Sequence, residues 1–266
     1  VTGAASGIGL AVCRKAAAEG MRVVMADVEE PALESAADDL AGDGAEVLPG
    51  VTDVSEAASV TALRDAAVER FGTVHLVHNN AGVSASGPVW SVPEEDWRWV
   101  IGVNLFGVVH GIRAFVPLLV DQGEGHVVNT GSLAGLLTPP FMGVYNATKH
   151  AVVAISETLH KDLQVAGSPV GVSVLCPGFV RTGIGHSERN RPSWAPATAT
   201  DGGPLLDMGR QLVAAGIDPS VVAGAVFDAV RDDRFYIFTH PETKPAVAVR
   251  AKDILEERQP TVNPLG

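Results

Sequence analysis

Short apolar runs alternate with amphipathic stretches along almost the whole chain, and this alternation limits the possible folds more than any other feature. Candidate strands are Arg22–Ala26, Ala45–Leu48, Val74–His78, His126–Asn129, Val170–Leu175 and Phe235–Thr239. They are rich in Val and Leu and mostly end at Gly, Asp, Asn or Pro. Helical patterns lie between them. Ile8–Glu19 stops at Gly20, and Pro31–Leu40 has Pro in its first turn. Ser55–Phe71 offers Ser55 as N-cap, with Gly72 past its end. Glu94–Asp121 is long and contains Pro117, which can kink or end it. Val144–Val165, Leu205–Ala215 and Pro219–Arg231 follow. Strand, helix and strand repeated in this order imply right-handed crossovers, and so a doubly wound parallel sheet with helices on both faces. Such a sheet needs a central strand before the first helix, where only Val1 and Thr2 stand. That strand is expected to be missing from the numbered sequence.

Three windows without Asp, Glu, Lys or Arg fit this picture: Phe71–Pro93, Gly125–Thr148 and Leu163–Val180. Buried parallel strands running into functional loops would produce them. Gly, Pro, Asn or Ser breaks each one, so no stretch reads as a bilayer helix and no membrane partner is expected. The 266 residues show no repeat or linker and are read as one domain, 1–266, with a substrate lid loop at about 183–216. Its Gly183–Pro204 portion is rich in Pro, Ser, Thr and Gly and is expected to be mobile until substrate binds. The formal charge of −12 argues against nucleic acid. Cys13 and Cys176 are far apart with no CxxC, which excludes a disulfide scaffold or zinc ribbon and fits a reduced cytoplasmic location. His75 and His78, three apart on a strand, face opposite sides, and no metal site is expected.

Thr2-Gly3-Ala4-Ala5-Ser6-Gly7-Ile8-Gly9 is a glycine turn opening a helix, where a pyrophosphate can approach the amides of Ser6, Gly7 and Ile8. Asp27 ends the next strand, 18 residues beyond Gly9, where a carboxylate can accept both adenosine ribose hydroxyls and repel a 2′-phosphate; Val28 follows. Asp53-Val54 and Asn79-Asn80-Ala81-Gly82 follow later strands. Asp53 is placed to meet an adenine amino group, whereas Asn79 is read as a strand brace. In Tyr145-Asn146-Ala147-Thr148-Lys149 the phenol and ammonium share a helix face. The ammonium should favour the phenolate and lower the phenol's pKa from ~10. Ser132 comes 13 residues before Tyr145, and its hydroxyl can hold a substrate oxygen. Asn104 sits inside a helix, where Asn is a poor residue unless a kink or a bound water accounts for it.

Taken in order, these elements resemble the short-chain dehydrogenase/reductase family over nearly the whole chain, through Pro177-Gly178-Phe179-Val180-Arg181-Thr182. The resemblance implies a Rossmann-type α/β fold and an NAD-dependent oxidoreductase acting on CH–OH groups. It implies a catalytic tetrad of Asn104, Ser132, Tyr145 and Lys149. Cofactor contacts are implied at Gly3, Ser6, Gly7, Ile8, Gly9, Asp27, Val28, Asp53, Val54, Asn80, Ala81, Gly82, Tyr145, Lys149, Pro177, Gly178, Val180 and Thr182. It further implies a homotetramer, with Glu94–Asp121 and Val144–Val165 at one interface and Phe235–Thr239 near another.

The substrate is expected to be a small-molecule secondary alcohol or ketone, hydrophobic because its wall is mostly apolar: Val83, Ser84, Leu133, Ala134, Leu136, Phe141, Met142, Phe179, Val180 and Trp194. Arg189 and Arg191 on the lid are read as solvated loop charges, with an anionic substrate group as the sharper alternative. Two rival functions stay open: an NADPH-dependent 3-oxoacyl-thioester reductase, and a non-catalytic dinucleotide-binding protein.

Overall fold

The computed structural model describes residues 1–196 and 203–262, giving only the backbone for 203–206. Part of the expected lid, 197–202, therefore lies outside the described residues. Six strands form: β1 (Val23–Asp27), β2 (Val47–Val51), β3 (Leu76–Asn79), β4 (His126–Thr130), β5 (Gly171–Cys176) and β6 (Tyr236–Phe238). Every ladder is parallel: β1 pairs with β2, and β3, β4, β5 and β6 pair in that order.

Val1 and Thr2 lie between the two groups of strands. The Ala26 amide donates to the Val1 carbonyl at 2.9 Å, and the Thr2 amide donates to the His78 carbonyl at 3.1 Å. The expected central strand is thus not an element in its own right. Two residues occupy its place, and the strand order across the molecule is that of a doubly wound sheet.

The helices are α1 (Gly7–Ala18), α2 (Glu30–Gly42), α3 (Ala57–Phe71), α4 (Glu94–Ile101), α5 (Gly107–Gln122), α6 (Gly143–Val165), α7 (Gly203–Ala214), α8 (Pro219–Arg231) and α9 (Lys244–Leu255). On one face α1, α2 and α8 bury Val12, Cys13, Leu33 and Phe227 against Met25 of β1. On the other, α3, α5 and α6 bury Val60, Phe115, Leu119 and Leu163 against Val77, Val127 and Val172. The central strands β4 and β5 are buried along almost their whole length, whereas the edge strands β2 and β6 keep exposed residues at Pro49, Val51 and Tyr236.

Several local expectations are corrected. The cap of α3 is Glu56 rather than Ser55, because Ser55 is folded onto Asp53 through its amide and hydroxyl. Pro117 does not end α5, which runs on to Gln122. α9 carries a sequence too weakly amphipathic to have been expected. The continuous helical run Glu94–Gln122 is long and apolar enough to cross a bilayer by length and composition, contrary to the sequence reading. In the fold its Ala114, Phe115 and Leu119 pack into the core against β3 and β4, as a core helix does.

Candidate active site

The C-terminal ends of β1, β3, β4 and β5 open into one cleft of about 1570 Å³. That exceeds the roughly 300–1,000 Å³ of ordinary small-molecule pockets and leaves room for a second molecule beside a large one.

The glycine turn forms one end of the cleft. Gly7 has φ +54°, a conformation that side chains rarely adopt, and a Cβ there would meet Thr182 Cγ2 at 3.0 Å. A Cβ on Gly9 would fall 2.0 Å from the Gly3 carbonyl oxygen, so no larger residue fits. Ser6 caps α1 without a side-chain hydrogen bond, so the first amides of that helix have no hydroxyl partner from it and face the cleft at the positive end of the helix dipole. Thr2 Oγ1 accepts from the amides of Asn80 and Ala81 at 2.9 and 3.1 Å, locking the glycine turn to the loop after β3.

Asp27 ends β1 and lines the cleft. Its Oδ2 accepts from the Ala5 amide at 2.9 Å and its Oδ1 from the Glu29 amide at 3.1 Å. Each oxygen retains a further lone pair for a ribose hydroxyl. A glycine turn at a helix start, a fixed carboxylate 18 residues on and the exposed Val28 beside it together fit a dinucleotide. Asp53 Oδ1 is engaged by Ser55 at 2.9 and 2.7 Å. Asn79 does brace strands, donating to Asn129 Oδ1 at 2.8 Å.

Farther along, Ser132 follows β4, and Tyr145 and Lys149 lie in α6. Lys149 Nζ donates to the Thr130 carbonyl at 2.8 Å and lies 5.6 Å from the centre of the Tyr145 ring. Burial pushes the Lys149 ammonium down to about 8, so it stays mostly charged at neutral pH. Burial also raises the Tyr145 phenol, while the nearby Ser132 hydroxyl pulls it down in part. The sequence reading expected the ammonium to lower the phenol. Desolvation outweighs any such pull, and Tyr145 is a neutral phenol at pH 7.

All the sequence-chosen site residues line the cleft except Gly9, which sits behind the turn, and Asn104. Asn104 lies in a π-helical turn, Gly102–Phe106, between α4 and α5. Its Oδ1 accepts from the Val83 amide at 2.8 Å, and its Nδ2 donates to the Val83 carbonyl at 2.9 Å and to Thr148 Oγ1 at 3.2 Å. The helix irregularity that Asn104 suggested is present; both amide hydrogens are used by protein partners, while Oδ1 keeps one lone pair.

The residues read from sequence as a substrate wall line the cleft except Leu136, which packs beside Val153, Val174 and Cys176. Leu137 lines the cleft in its place. Phe141 lines it with φ +64°, a strained conformation for a bulky residue.

Arg191 is not the solvated charge expected, whereas Arg189 is exposed as expected, though paired. Arg189 Nε donates to Glu29 Oε1 at 2.8 Å, and Asn190 Nδ2 donates to the same oxygen at 2.8 Å. Arg191 is nearly buried, paired with Asp96 at 2.5 Å and with Glu188, and stacked 4.6 Å from the Trp99 ring centre. Ser187 Oγ accepts from the Ser84 amide at 3.0 Å. Sequence reasoning missed Glu29, Asp96 and Thr130, because each acts through a partner remote in sequence. Cys13 and Cys176 are buried and unpaired. Burial raises their thiols to about 11 and about 12, which makes them inert.

A family model described as short chain dehydrogenase matches residues 1–193. A dehydrogenase/reductase of CLA biosynthesis from Lactiplantibacillus plantarum is 36% identical, over 99% of this chain and 94% of its own. A 1-deoxy-11-beta-hydroxypentalenate dehydrogenase from Streptomyces avermitilis is 39% identical, over 96% of this chain and 88% of its own. Among solved structures, a short-chain dehydrogenase/reductase from Burkholderia phymatum in complex with NAD superposes with a TM-score of 0.96. It is 50% identical, and the match covers 98% of this chain and 95% of that one.

Proposed function

This chain belongs to the short-chain dehydrogenase/reductase family, and from that premise we propose that it is an NAD-dependent enzyme interconverting a hydrophobic secondary alcohol and its ketone. The observation that carries the reading is the convergence of Ser132, Tyr145 and Lys149 on the same cleft as the glycine turn and Asp27. A pure dinucleotide binder has no use for a half-buried Tyr beside a buried Lys.

When bound, NAD would supply the hydride chemistry. Its adenosine end would rest on Asp27, Val28, Asp53 and Val54, and its pyrophosphate on Gly3, Ser6, Gly7 and Ile8. Asn80, Ala81, Gly82, Pro177, Gly178, Val180 and Thr182 would hold the nicotinamide half, with Lys149 on its ribose. Asp27 favours NAD over NADP through like-charge repulsion of a 2′-phosphate.

Ser132 orients the substrate oxygen. Tyr145, neutral at pH 7, donates its proton to a carbonyl in reduction, and takes the hydroxyl proton in oxidation once the Lys149 charge favours its phenolate. Lys149 is held by the Thr130 carbonyl, which aims its ammonium under the Tyr145 ring. Asn104 positions both: its amide ties the Val83 loop to Thr148, next to Lys149. The described residues 183–196 and 203–216 belong to the substrate lid, and the active form is a homotetramer.

The test is Tyr145→Phe. Cofactor affinity should stay near wild type while turnover falls about 10²–10⁴-fold, the usual contribution of a general acid/base. Turnover within a few-fold of wild type would place the base elsewhere.

A further inference from the structure

We propose that Arg250 of α9 forms an anion subsite in the cleft, and that the substrate is an amphiphile: an apolar alcohol or ketone bearing a carboxylate remote from the reacting carbon. This rests on the oxidoreductase reading above and names the substrate class of the same site.

Six arginines line the cleft: Arg98, Arg189, Arg191, Arg210, Arg250 and Arg258. Five are paired with carboxylates. Arg98 meets Glu94 at 2.6 Å, Arg189 meets Glu29 at 2.8 Å and Arg191 meets Asp96 at 2.5 Å. Arg210 lies 3.6 Å from Asp207, and Arg258 lies 2.8 Å from Asp253. Arg250 alone has no carboxylate within 4.0 Å among the described residues, although it is half-buried and the chain carries a net charge of −12. In a protein with so many acids, a cleft-facing cation without one is set aside for a ligand's anion.

The acid one turn along the same helix face, Asp253, is already engaged. Its Oδ1 accepts from Arg258 at 2.8 Å and its Oδ2 from the Thr261 amide at 2.9 Å. These bonds hold its carboxyl below the ordinary range. Asp253 therefore does not neutralise Arg250, but its charge disfavours a doubly charged phosphate more than a carboxylate.

The surroundings supply the other half of the ligand. Phe179, Trp194, Met208, Leu212 and Ile254 all line this cleft with large apolar side chains at least 42% exposed. A guanidinium binds a carboxylate in a two-pronged fork, and an apolar chain extending from that carboxylate would cover these side chains on its way to Tyr145.

The experiment uses wild type, Arg250→Ala and Arg250→Lys with NAD, a medium-chain secondary hydroxy acid and its methyl ester. A charge-assisted hydrogen bond typically contributes ~1.5–3 kcal/mol, which is roughly 10–150-fold in affinity. Wild type should prefer the acid at least tenfold in kcat/KM. Arg250→Ala should erase that preference through KM, and Arg250→Lys should restore part of it. Binding is read separately, by tryptophan fluorescence with decanoate, methyl decanoate and decyl phosphate. Decanoate should bind best, and Arg250→Ala should weaken decanoate binding while leaving methyl decanoate unchanged. Equal use of acid and ester by wild type overturns the proposal. So does tighter binding of decyl phosphate, or weaker NADH binding in Arg250→Ala, which would assign Arg250 to the cofactor. Arg250-dependent decanoate binding without turnover of either substrate would keep the subsite and reject the oxidoreductase reading instead.

Discussion

The two ends of the cleft are built on different principles. At the cofactor end, backbone sets the shape: glycines stand where no side chain fits, and Thr2 and Asp27 are fixed by main-chain amides. At the lid end, side chains set the shape. Arg189–Glu29 and Arg191–Asp96 join segments about a hundred or more residues apart, and large apolar groups stand exposed. A backbone-built site recognises one unvarying ligand and tolerates little change. A side-chain-built site can be re-tuned residue by residue, which suits a family sharing a cofactor and differing in substrate.

The sharpest break of this contrast is Gly9→Ala. The added methyl would lie 2.0 Å from the Gly3 carbonyl, so the turn must open. NAD binding should be lost, and the protein should melt well below wild type in a thermal scan. Next in size is the pair Asp27→Ala with Val28→Arg, which removes the repulsion and adds a phosphate partner. It should erode or reverse an NAD preference of at least about two orders of magnitude, each tenfold being ~1.4 kcal/mol. The kcat/KM values for both cofactors measure it.

Asp96→Asn tests the lid end. It breaks a pair whose side chains are only 7–8% exposed, and loss of such a partner costs on the order of 3 kcal/mol. Tm should fall by several degrees, and amides in 183–196 should exchange faster. An unchanged exchange pattern would mean that the pair does not anchor the lid. The smallest effect is expected for Glu29→Gln. The Arg189–Glu29 pair is about a third exposed, so its loss should cost under ~1 kcal/mol of stability. Yet it frees Arg189, which packs against the residue two positions after Asp27, and NADP use should rise a few-fold.

That last variant also marks where the sequence stops being readable. Gly3, Gly7, Gly9 and Asp27 could be picked out because a local pattern carries their meaning: a turn, a helix start, a strand end. Tyr145 and Lys149 share one helix face for the same reason. Arg189 reaches Glu29, beside Asp27, from 160 residues along the chain, and no local spacing announces it. Leu136 and Leu137 were exchanged because a 3₁₀ turn at Leu133–Gly135 decides which of two adjacent leucines faces inward. The raised Tyr145 phenol was misread because its burial comes from the assembled fold, not from the neighbouring lysine.

The most direct measurement is reduced-cofactor formation by the wild-type protein, with NAD and NADP in parallel, across a panel of apolar secondary alcohols. NAD should be reduced with at least one of them, with kcat/KM about two orders of magnitude above that for NADP. Equal use of NADP would show that Asp27 does not face the ribose. Tight NAD binding with no reduction on any alcohol, and no oxidation of NADH by the matching ketones, would show that the Tyr145–Lys149 pair does no chemistry.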